Sequence, residues 1–471
     1  MDGPIEITDG ARWAEEQFCV SELGDVRRSR RLVKLGRQMA GNSSGTIPQQ
    51  TGRSADMKAA YRLFVQQAVT HEAICTPHWQ GTRRQAGQLP MALLVQDTME
   101  LNFTRHTRTR GLAPIGNGMG RGLHQQDVLA VDPVQKVPLG LMYQRHHRRQ
   151  EVPAGETRTK RRLRPLAERE SFWWVEAIRR IGSAPPGACW VHVLDRGGDT
   201  FAIYDAVRET QTDFIVRAAQ DRRITRKGNH DYLFDYARSL SPLGVRELTV
   251  RVKGSSPRKA RLKIAAGTVQ LLPSFQEPEL RHRPPVSCRV VRVWEDDPAC
   301  HTEGLEWILL TSLPTESFDQ ATRIAEGYRL RWLVEEFHKS EKTGCRVEER
   351  QLRDTDRLEP LIGLLSVLAV RLLQLKFIAR EDPDRPARDV FGDEAATVMR
   401  WYLRRKNTSQ THPACLTVGM FWRGIGRLGG HPGRKGDGPL GWLRAWRGWQ
   451  DFQLILLGAT LSDPIETARY G

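Results

Sequence analysis

The sequence predicts an α/β protein with an antiparallel β-sheet insertion inside its core and helical segments at both ends. Two runs, residues 91–95 and 190–194, have the apolar pattern of strands that are buried on both faces of a sheet. A helical pattern occupies residues 317–344, and alternating residues at 247–252 and 261–265 predict antiparallel strands. These observations place an α/β core in the middle of the chain.

The overall charge favours a polyanionic partner. Among 471 residues, 72 are lysine or arginine and 55 are aspartate or glutamate, which gives a net charge of +17. A balance of this size favours nucleic acid, although a protein that is simply basic and soluble has the same composition. The length suffices for roughly two to four domains.

Cysteine usage and hydropathy favour a cytoplasmic protein. The seven cysteines include no Cys-x2-Cys pair, which indicates reduced thiols and argues against a zinc module. The first residues lack the basic and apolar regions of a secretion signal. The most apolar run, residues 361–375, is broken by Arg371 and is too short for a bilayer, so it predicts a buried core helix. We therefore expect no membrane partner.

The first 86 residues predict a helical segment with one strongly basic helix. Asp25 can cap a helix that begins at Val26, in which five arginines and a lysine surround Leu32 and Leu35. A helix of this composition is either a phosphate-binding surface or an unusually basic solvated face.

An acidic residue follows each of the two buried runs. Residues 91–95 lead to Asp97, and residues 190–194 lead to Asp195. An acid at the end of a buried strand is either a site residue or a turn or cap residue. Between the two acids the sequence predicts strands at 127–131 and 137–143.

A basic segment follows these strands, between Arg145 and Arg164. It contains His146 and His147 among arginines, which disfavours metal binding by these histidines. We interpret the segment as a solvated or DNA-facing loop.

The stretch that begins at Ser317 concentrates the polar side chains. Ser317 and Gln320 predict a capping box, and Gly344 is placed to end the helix. On one continuous helix a buried face and a polar stripe lie opposite each other. The buried face is Leu330, Leu333, Val334 and Phe337, and the stripe is Tyr328, Arg331, Glu335, Lys339 and Lys342. Such a stripe is either a solvated salt-bridge ladder or a site for an anion together with a metal.

Two motifs carry a family resemblance. Tyr328, Arg331, Glu335 and Lys342 have the spacing Tyr-x2-Arg-x3-Glu-x6-Lys. This spacing resembles the signature of bacterial cut-and-paste DDE transposases of insertion sequences, which have a ribonuclease H-like core. The segment 195–199 is similar to the family motif Asp-Arg-Glu-x-Asp, but glycine occupies position 197, where the family has glutamate.

The resemblance extends over nearly the whole chain and implies a domain order around a ribonuclease H-like catalytic core. The implied segments are a helical end-DNA-binding domain at 1–86, the first part of the core at 87–221, an antiparallel β insertion at 222–306, the second part of the core at 307–378, and a helical C-terminal dimerisation domain at 379–471.

The resemblance also implies the site residues. Asp97, Asp195 and Glu335 would be the catalytic acids that hold two Mg²⁺ ions, for which Mn²⁺ could substitute. The other implied contacts are Tyr328, Arg331, Lys342 and Arg217 to phosphates, Trp307 stacked on a flipped base, and Arg28, Arg31 and Arg62 to the terminal inverted repeat.

The implied activity is DNA transposition. The enzyme would nick the transposon end, form and reopen a hairpin, and insert the end into target DNA, as a homodimer that holds two ends. Two alternatives remain open at this stage. One is a two-metal, structure-selective DNA nuclease, and the other is a catalytically silent, transposase-derived DNA-binding protein.

Overall fold

The computed structural model describes the chain as residues 9–150, 155, 157, 164–226, 228–250, 258–273, 278–296, 304–405, 415–434, 437, 438 and 440–461. Parts of the predicted strand 247–252 and of the basic segment between Arg145 and Arg164 lie outside these residues.

A mixed sheet forms the centre of the described structure. Its strands are β1 (Met91–Asn102), β2 (Ala113–Ile115), β3 (Gly120–Asp132), β4 (Val137–His147), β5 (Cys189–Leu194), β6 (Asp213–Arg217), β7 (Arg223–Arg226), β8 (Asn229–Tyr232), β9 (Gly244–Val250), β10 (Arg258–Leu271), β11 (Val286–Glu295) and β12 (Glu306–Thr311). The strand order is β2-β3-β1-β5-β6-β12-β11-β10-β7-β8, with β4 on β3 and β9 on β10. β1, β5 and β6 are parallel neighbours, whereas β12 joins β6 antiparallel.

The parallel strands are buried because their side chains alternate between apolar clusters on the two faces of the sheet. In β1, Leu93 and Val95 belong to one cluster, whereas Ala92 and Leu94 belong to another. This alternation explains why residues 91–95 are apolar without interruption and why residues 190–194 are apolar except for the buried His192. The α/β prediction is confirmed as a mixed sheet with helices.

Fifteen α-helices accompany the sheet in the described residues. They are α1 (Gly10–Phe18), α2 (Val26–Gly41), α3 (Ile47–Thr51), α4 (Ser54–Leu63), α5 (His71–Gly87), α6 (Phe172–Ile181), α7 (Phe201–Thr210), α8 (Leu233–Ser239), α9 (Phe318–Arg329), α10 (Trp332–Lys339), α11 (Thr355–Glu381), α12 (Arg388–Phe391), α13 (Asp393–Arg405), α14 (Val418–Leu428) and α15 (Trp442–Leu461). A π-helical turn, Ser340–Gly344, continues directly from α10.

The long apolar helix α11 is a core helix. It is the one helix of the described chain with the length and composition to cross a membrane, but 89% of its apolar window is buried inside the fold. Its burial by the surrounding elements accounts for its hydropathy, so it does not indicate a membrane protein.

The strand that carries Asp97 is longer than its apolar run. We expected Asp97 to lie at the end of a strand, and this expectation is wrong, because β1 continues to Asn102. β3 pairs with β1 from Leu93 to Asn102, and this pairing extends the strand through its polar half.

The prediction of a loop at His146 and His147 is also wrong. Both belong to β4, because the pairing with β3 continues to His147, which lies opposite His124. The His146 side chain is only 1% exposed. His147 stacks on Trp173 with ring centroids 4.3 Å apart. These side chains are packed within the fold rather than solvated.

The predicted single helix from Ser317 to Gly344 is broken in the structure. The capping box at Ser317 is present, but α9 ends at Arg329 and α10 begins at Trp332. At the break, the amides of Leu330 and Arg331 donate to carbonyls three residues earlier, at 3.1 and 3.0 Å, as in a 3₁₀ turn. The predicted buried face is confirmed, since Leu330, Leu333, Val334 and Phe337 are at most 8% exposed.

Buried polar contacts attach both ends of the chain to the segment around α10. Arg350 donates to the carbonyls of Ser43 and Gly45 in the N-terminal part. On the other side, the Trp442 indole of α15 donates to the Glu336 carboxylate of α10. The helix that carries Glu335 therefore lies between the two terminal regions.

Candidate functional site

Asp97 and Asp195 lie on neighbouring parallel strands at the same level. Val95 of β1 is in register with Val193 of β5, and each aspartate follows its valine by two residues. Asp195 directly follows the carboxyl end of β5, and Asp97 lies within β1 at the same level, so the two acids are neighbours at this edge of β5. The Asp195 charge raises the pKa of Asp97, in addition to the larger effect of burial.

Glu335 reaches this edge from α10. The preceding helix α9 lies close to the sheet, because a Cβ at Gly327 would stand 3.1 Å from Ile215 Cδ1 of β6. The 3₁₀ turn then starts the new helix, in which Glu335 occupies the first turn. The Glu335 side chain is 46% exposed, against 20% for Asp97, so Glu335 is the more accessible of these two acids.

Arg331 lies between the first acid and the helix acid. Its Nη1 is 3.4 Å from Asp97 Oδ2, and its Nη2 donates to Glu335 Oε1. The Arg331 side chain is 19% exposed, so water screens these contacts only partly. Burial raises the pKa of Asp97, while the positive charges of His338 and Arg331 oppose that rise.

The donor chemistry of the three acids suits a hard divalent cation such as Mg²⁺, which prefers carboxylate oxygens. Within the described residues, no group of three or more His, Cys, Asp or Glu side chains is gathered in a geometry that could hold a metal ion. The Arg331 guanidinium lies between Asp97 and Glu335 and contacts both carboxylates. The three acids thus fit a divalent ion by their donor chemistry, and Arg331 places a positive charge between two of them.

Gly197 is explained by the local turn after β5. Its amide donates to Asp195 Oδ1 at 2.7 Å, and a Cβ at this position would lie 3.1 Å from the same oxygen. The last acid of the motif, Asp199, is 1% exposed and accepts from Tyr204 Oη at 2.6 Å and Ala219 N at 2.7 Å. Asp199 therefore fixes the loop after β6 and has little capacity left for a ligand.

The polar stripe predicted for one helix is divided in the structure. Lys342 Nζ donates to the Glu100 carbonyl of β1 at 2.7 Å and lies 3.0 Å from Glu348 Oε1. Lys339 contacts Glu336 at 3.0 Å instead of the site. Lys342 thus lies three residues along β1 from Asp97, whereas Lys339 is turned away.

Tyr328, Trp307 and Arg217 form a second group beside the acids. Tyr328 is 7% exposed and packs against the Trp307 ring, with centroids 5.4 Å apart and planes at 68°. Burial raises the pKa of Tyr328, although the Arg217 charge opposes the rise. Arg217 also donates to the Glu306 carbonyl at 3.3 Å. Trp307 is half-buried, so part of its surface remains accessible.

The three N-terminal arginines have different surroundings. Arg28 donates to the Leu23 carbonyl at 2.9 Å, and Arg31 donates to Asp56 at 2.8 Å. Arg62 is exposed at the end of α4, and its side chain has no hydrogen bond or ion pair within the described part of the chain. Arg62 therefore has the guanidinium most available for an external phosphate.

Sequence reasoning missed a buried polar group behind the acids. Asp127, directly opposite Asp97 in the sheet, is fully buried, and His338 Nε2 contacts it at 3.0 Å. The available signal was an uninterrupted polar run, His124 to Asp127, that leads into the strand predicted at 127–131. The spacing of His338 from Glu335 also placed it one helical turn farther along the same helix.

Carboxylates and arginines at one edge of a mixed sheet, together with a basic N-terminal helix, suit a protein that acts on nucleic acid. Comparison with known families agrees. Residues 10–69 match the family described as Transposase DNA-binding, and residues 191–372 match the family described as Transposase DDE domain. The two matches support a DDE-domain transposase with a DNA-binding region. The DDE match contains Asp195 and Glu335, while Asp97 lies before its first residue.

Proposed function

We propose that the protein is a cut-and-paste transposase that binds terminal inverted repeats, cleaves the transposon end through a hairpin, and joins the end to target DNA. The observation that carries this proposal is the approach of Glu335 to Asp97 through Arg331, beside Asp195 on the next strand. The DDE-family match supports metal-dependent cleavage and strand transfer. We further propose that the core is ribonuclease H-like and that the insertion-sequence family is the one with the Tyr-Arg-Glu-Lys motif.

The acids would act as a metal-binding triad. Asp97, Asp195 and Glu335 would hold two Mg²⁺ ions, or Mn²⁺ in their place, which activate a water or a 3′-hydroxyl and stabilise the leaving oxygen. The desolvated carboxylate of Asp97 has a raised pKa, so a nearby cation would stabilise its ionised form. Glu335 is more exposed than Asp97, so its side chain would be free to adjust when DNA arrives.

The basic groups would then position the scissile strand. Arg331 can exchange its carboxylate contacts for a phosphate, to which guanidinium binds in a bidentate geometry. Lys342 and Arg217 would hold neighbouring phosphates, and Tyr328 would donate a hydrogen bond to one of them. Trp307 would stack on a base flipped out of the end, because an indole face accepts any base.

Recognition of the transposon end is assigned to the N-terminal helices. Residues 10–69 match a transposase DNA-binding family, which supports DNA as the partner. Arg28, Arg31 and Arg62 are the proposed contacts to the end. We propose that target DNA is the second partner, that the C-terminal helices support a homodimer holding two ends, and that the protein acts in the bacterial cytoplasm.

The decisive experiment uses DNA that carries the inverted repeats flanking the gene. Wild type and Glu335→Ala are incubated with this DNA and Mg²⁺, and Glu316→Ala provides a control, because its side chain is 65% exposed and lies on the surface. Wild type and the control should yield nicks and hairpins. Glu335→Ala should bind the end equally well but lose more than about 100-fold in nicking, because even residues that only support a metal ligand contribute 10–100-fold.

The same experiment separates the alternatives. Cutting without hairpins or joined products would favour a structure-selective nuclease. Binding by both proteins with no cutting, in Mg²⁺ and in Mn²⁺, would instead identify a silent DNA-binding derivative and contradict the proposal.

A further inference from the structure

A second carboxylate lies directly opposite Asp97. β1 and β3 are antiparallel, with Asp97 in register with Asp127. Directly opposite residues of such a pair place their Cβ atoms about 4.5–5.5 Å apart on the same face, and like charges there repel. Asp127 is 0% exposed, so water does not screen its charge. The surrounding side chains must therefore offset it.

Three nitrogen donors surround Asp127. Gln144 Nε2 donates to Oδ1 at 2.7 Å, while Gln125 Nε2 lies 3.1 Å and His338 Nε2 3.0 Å from Oδ2. The orientation of both amides is set from their other ends, because histidine nitrogens contact their carbonyl oxygens at 2.8 and 3.0 Å. Asp127 accepts from every side, which is the hydrogen-bonding role of an ionised carboxylate.

Of these three donors, His338 belongs to the helix that carries Glu335, whereas both glutamines belong to the sheet. His338 follows Glu335 by three residues, so the two side chains are neighbours on α10. The His338 side chain is 12% exposed, which shields its contact from water. The contact therefore links the helix of Glu335 directly to the strand that pairs with Asp97.

We propose that His338 is a positioning residue of the cleavage site. Its hydrogen bond to Asp127 holds α10 in place, so that Glu335 lies beside Asp97 and Asp195. This assignment rests on the proposed function of the three acids. His338 also offsets the Asp127 charge beside Asp97.

Three substitutions of His338 separate positioning from space filling. The amide nitrogen of a glutamine can take the place of Nε2, whereas asparagine is too short to reach Asp127 and leucine has no donor. His338→Gln should retain most of the activity. His338→Asn and His338→Leu should need about 10–100-fold more Mg²⁺ for half-maximal nicking, the range seen when a group that orients a metal ligand is lost. Binding of end DNA, measured in EDTA, should be the same in all four proteins.

A second readout does not depend on DNA cleavage. Fe²⁺ with ascorbate and peroxide generates hydroxyl radicals that cut the polypeptide near a bound iron ion, and Fe²⁺ can take the place of Mg²⁺ on carboxylates. In wild type and His338→Gln we expect cuts both around Asp97 and around Glu335. In His338→Asn the cuts around Asp97 should persist while those around Glu335 weaken severalfold, because α10 is no longer held.

Each outcome decides the assignment. Equal Mg²⁺ requirements for the glutamine and asparagine variants, or a leucine variant that performs best, would overturn it, since both results indicate a role in packing alone. Iron cuts around only one of the two segments in wild type would also overturn it. If wild type fails to nick but its iron cleavage shows the expected dependence on position 338, the proposed transposition fails and the positioning role stands.

Discussion

The guanidinium of Arg331 joins Asp97 and Glu335, with Nη1 3.4 Å from Asp97 Oδ2 and Nη2 bonded to Glu335. Burial raises the pKa of Asp97, and a second carboxylate, Asp127, lies directly opposite it in the sheet. Arg331 places a positive charge between the Asp97 and Glu335 carboxylates. The arrangement predicts competition between Arg331 and a divalent ion for the same carboxylates.

The competition can be tested with Arg331→Met. In EDTA the variant should lose roughly 1 kcal/mol in the free energy of unfolding. This is the upper end of the range of about 0.2–1 kcal/mol that exposed ion pairs contribute and less than a fully buried pair contributes, because this pair is partly buried. Mg²⁺ should raise its melting temperature more than that of wild type, since the ion replaces the missing charge. Thermal unfolding with and without Mg²⁺ measures both effects.

Arg388→Met is the matched control for this measurement, because the Arg388 side chain is 65% exposed and its carboxylate partner lies at 3.6 Å. An equal Mg²⁺ shift in wild type, Arg331→Met and the control would show that Arg331 and the ion do not share a site.

Much of this corner could be predicted from local sequence. The largely apolar runs before Asp97 and Asp195 located both strands, because strands buried on two faces are rich in apolar residues. The buried face of the Glu335 segment followed from helical periodicity, which remains visible across the break at Leu330.

The remaining features depend on pairing and tertiary contact. The local sequence does not predict that Asp127 lies opposite Asp97, because the register is set by the whole β1–β3 pairing. The same ladder extends β3 far enough for β4 to include His146. The break between α9 and α10 has no proline or glycine at Leu330 or Arg331, so the residues at the break did not predict it.

The buried carboxyl of Glu341 predicts a pH dependence of stability. Burial, together with the charge of Asp127, raises the pKa of Glu341 from 4.5 to about 8 in the folded state. The folded protein therefore binds more protons than the unfolded chain between these values, and stability from this group is lost as pH rises through that window. Glu341→Gln mimics the protonated form and should remove this slope, which is at most about 1.4 kcal/mol per pH unit.

Urea unfolding at a series of pH values measures the difference between wild type and Glu341→Gln. Other buried groups act in both proteins, for example His78, whose pKa burial lowers to about 4, so their contributions cancel in the comparison. A difference that stays constant from about pH 5 to about pH 8 would show that Glu341 does not titrate in this window.

Glu336, the residue next to Glu335, stabilises the fold. Glu336 is 10% exposed in its side chain, accepts from Lys376 and the Trp442 indole, and lies 3.0 Å from Lys339 Nζ. Glu336→Ala leaves Lys376 partly buried without its carboxylate, and burial already lowers the pKa of Lys376. We expect a loss of roughly 2–3 kcal/mol in the free energy of unfolding, somewhat below the 3–5 kcal/mol for a fully buried pair.

Asp356→Ala is the control for this loss, because its side chain is 85% exposed although it also contacts an arginine. It should change stability by less than about 0.5 kcal/mol. A similar small effect for Glu336→Ala would contradict the role assigned to its contacts with α11 and α15.

The proposed end-binding surface predicts a particular salt dependence for Arg62. Its exposed guanidinium is free of ion pairs within the described chain, so a phosphate contact would release counterions without breaking an internal bond. Arg62→Ala should weaken binding to end DNA and to unrelated DNA alike. The slope of log affinity against log salt should become shallower by about 1, the value for one lost phosphate contact.

Arg180→Ala, which removes an exposed arginine from α6 in the core region, should leave this slope unchanged. Arg31→Ala differs from both, because Arg31 shares Asp56 with Lys34 and its loss leaves the Lys34 pair at 2.7 Å intact. If Arg62→Ala keeps the wild-type slope while Arg31→Ala reduces it, the DNA lies along α2 instead of at the end of α4. The basic helix α2 would then bind the transposon end without a contact from Arg62.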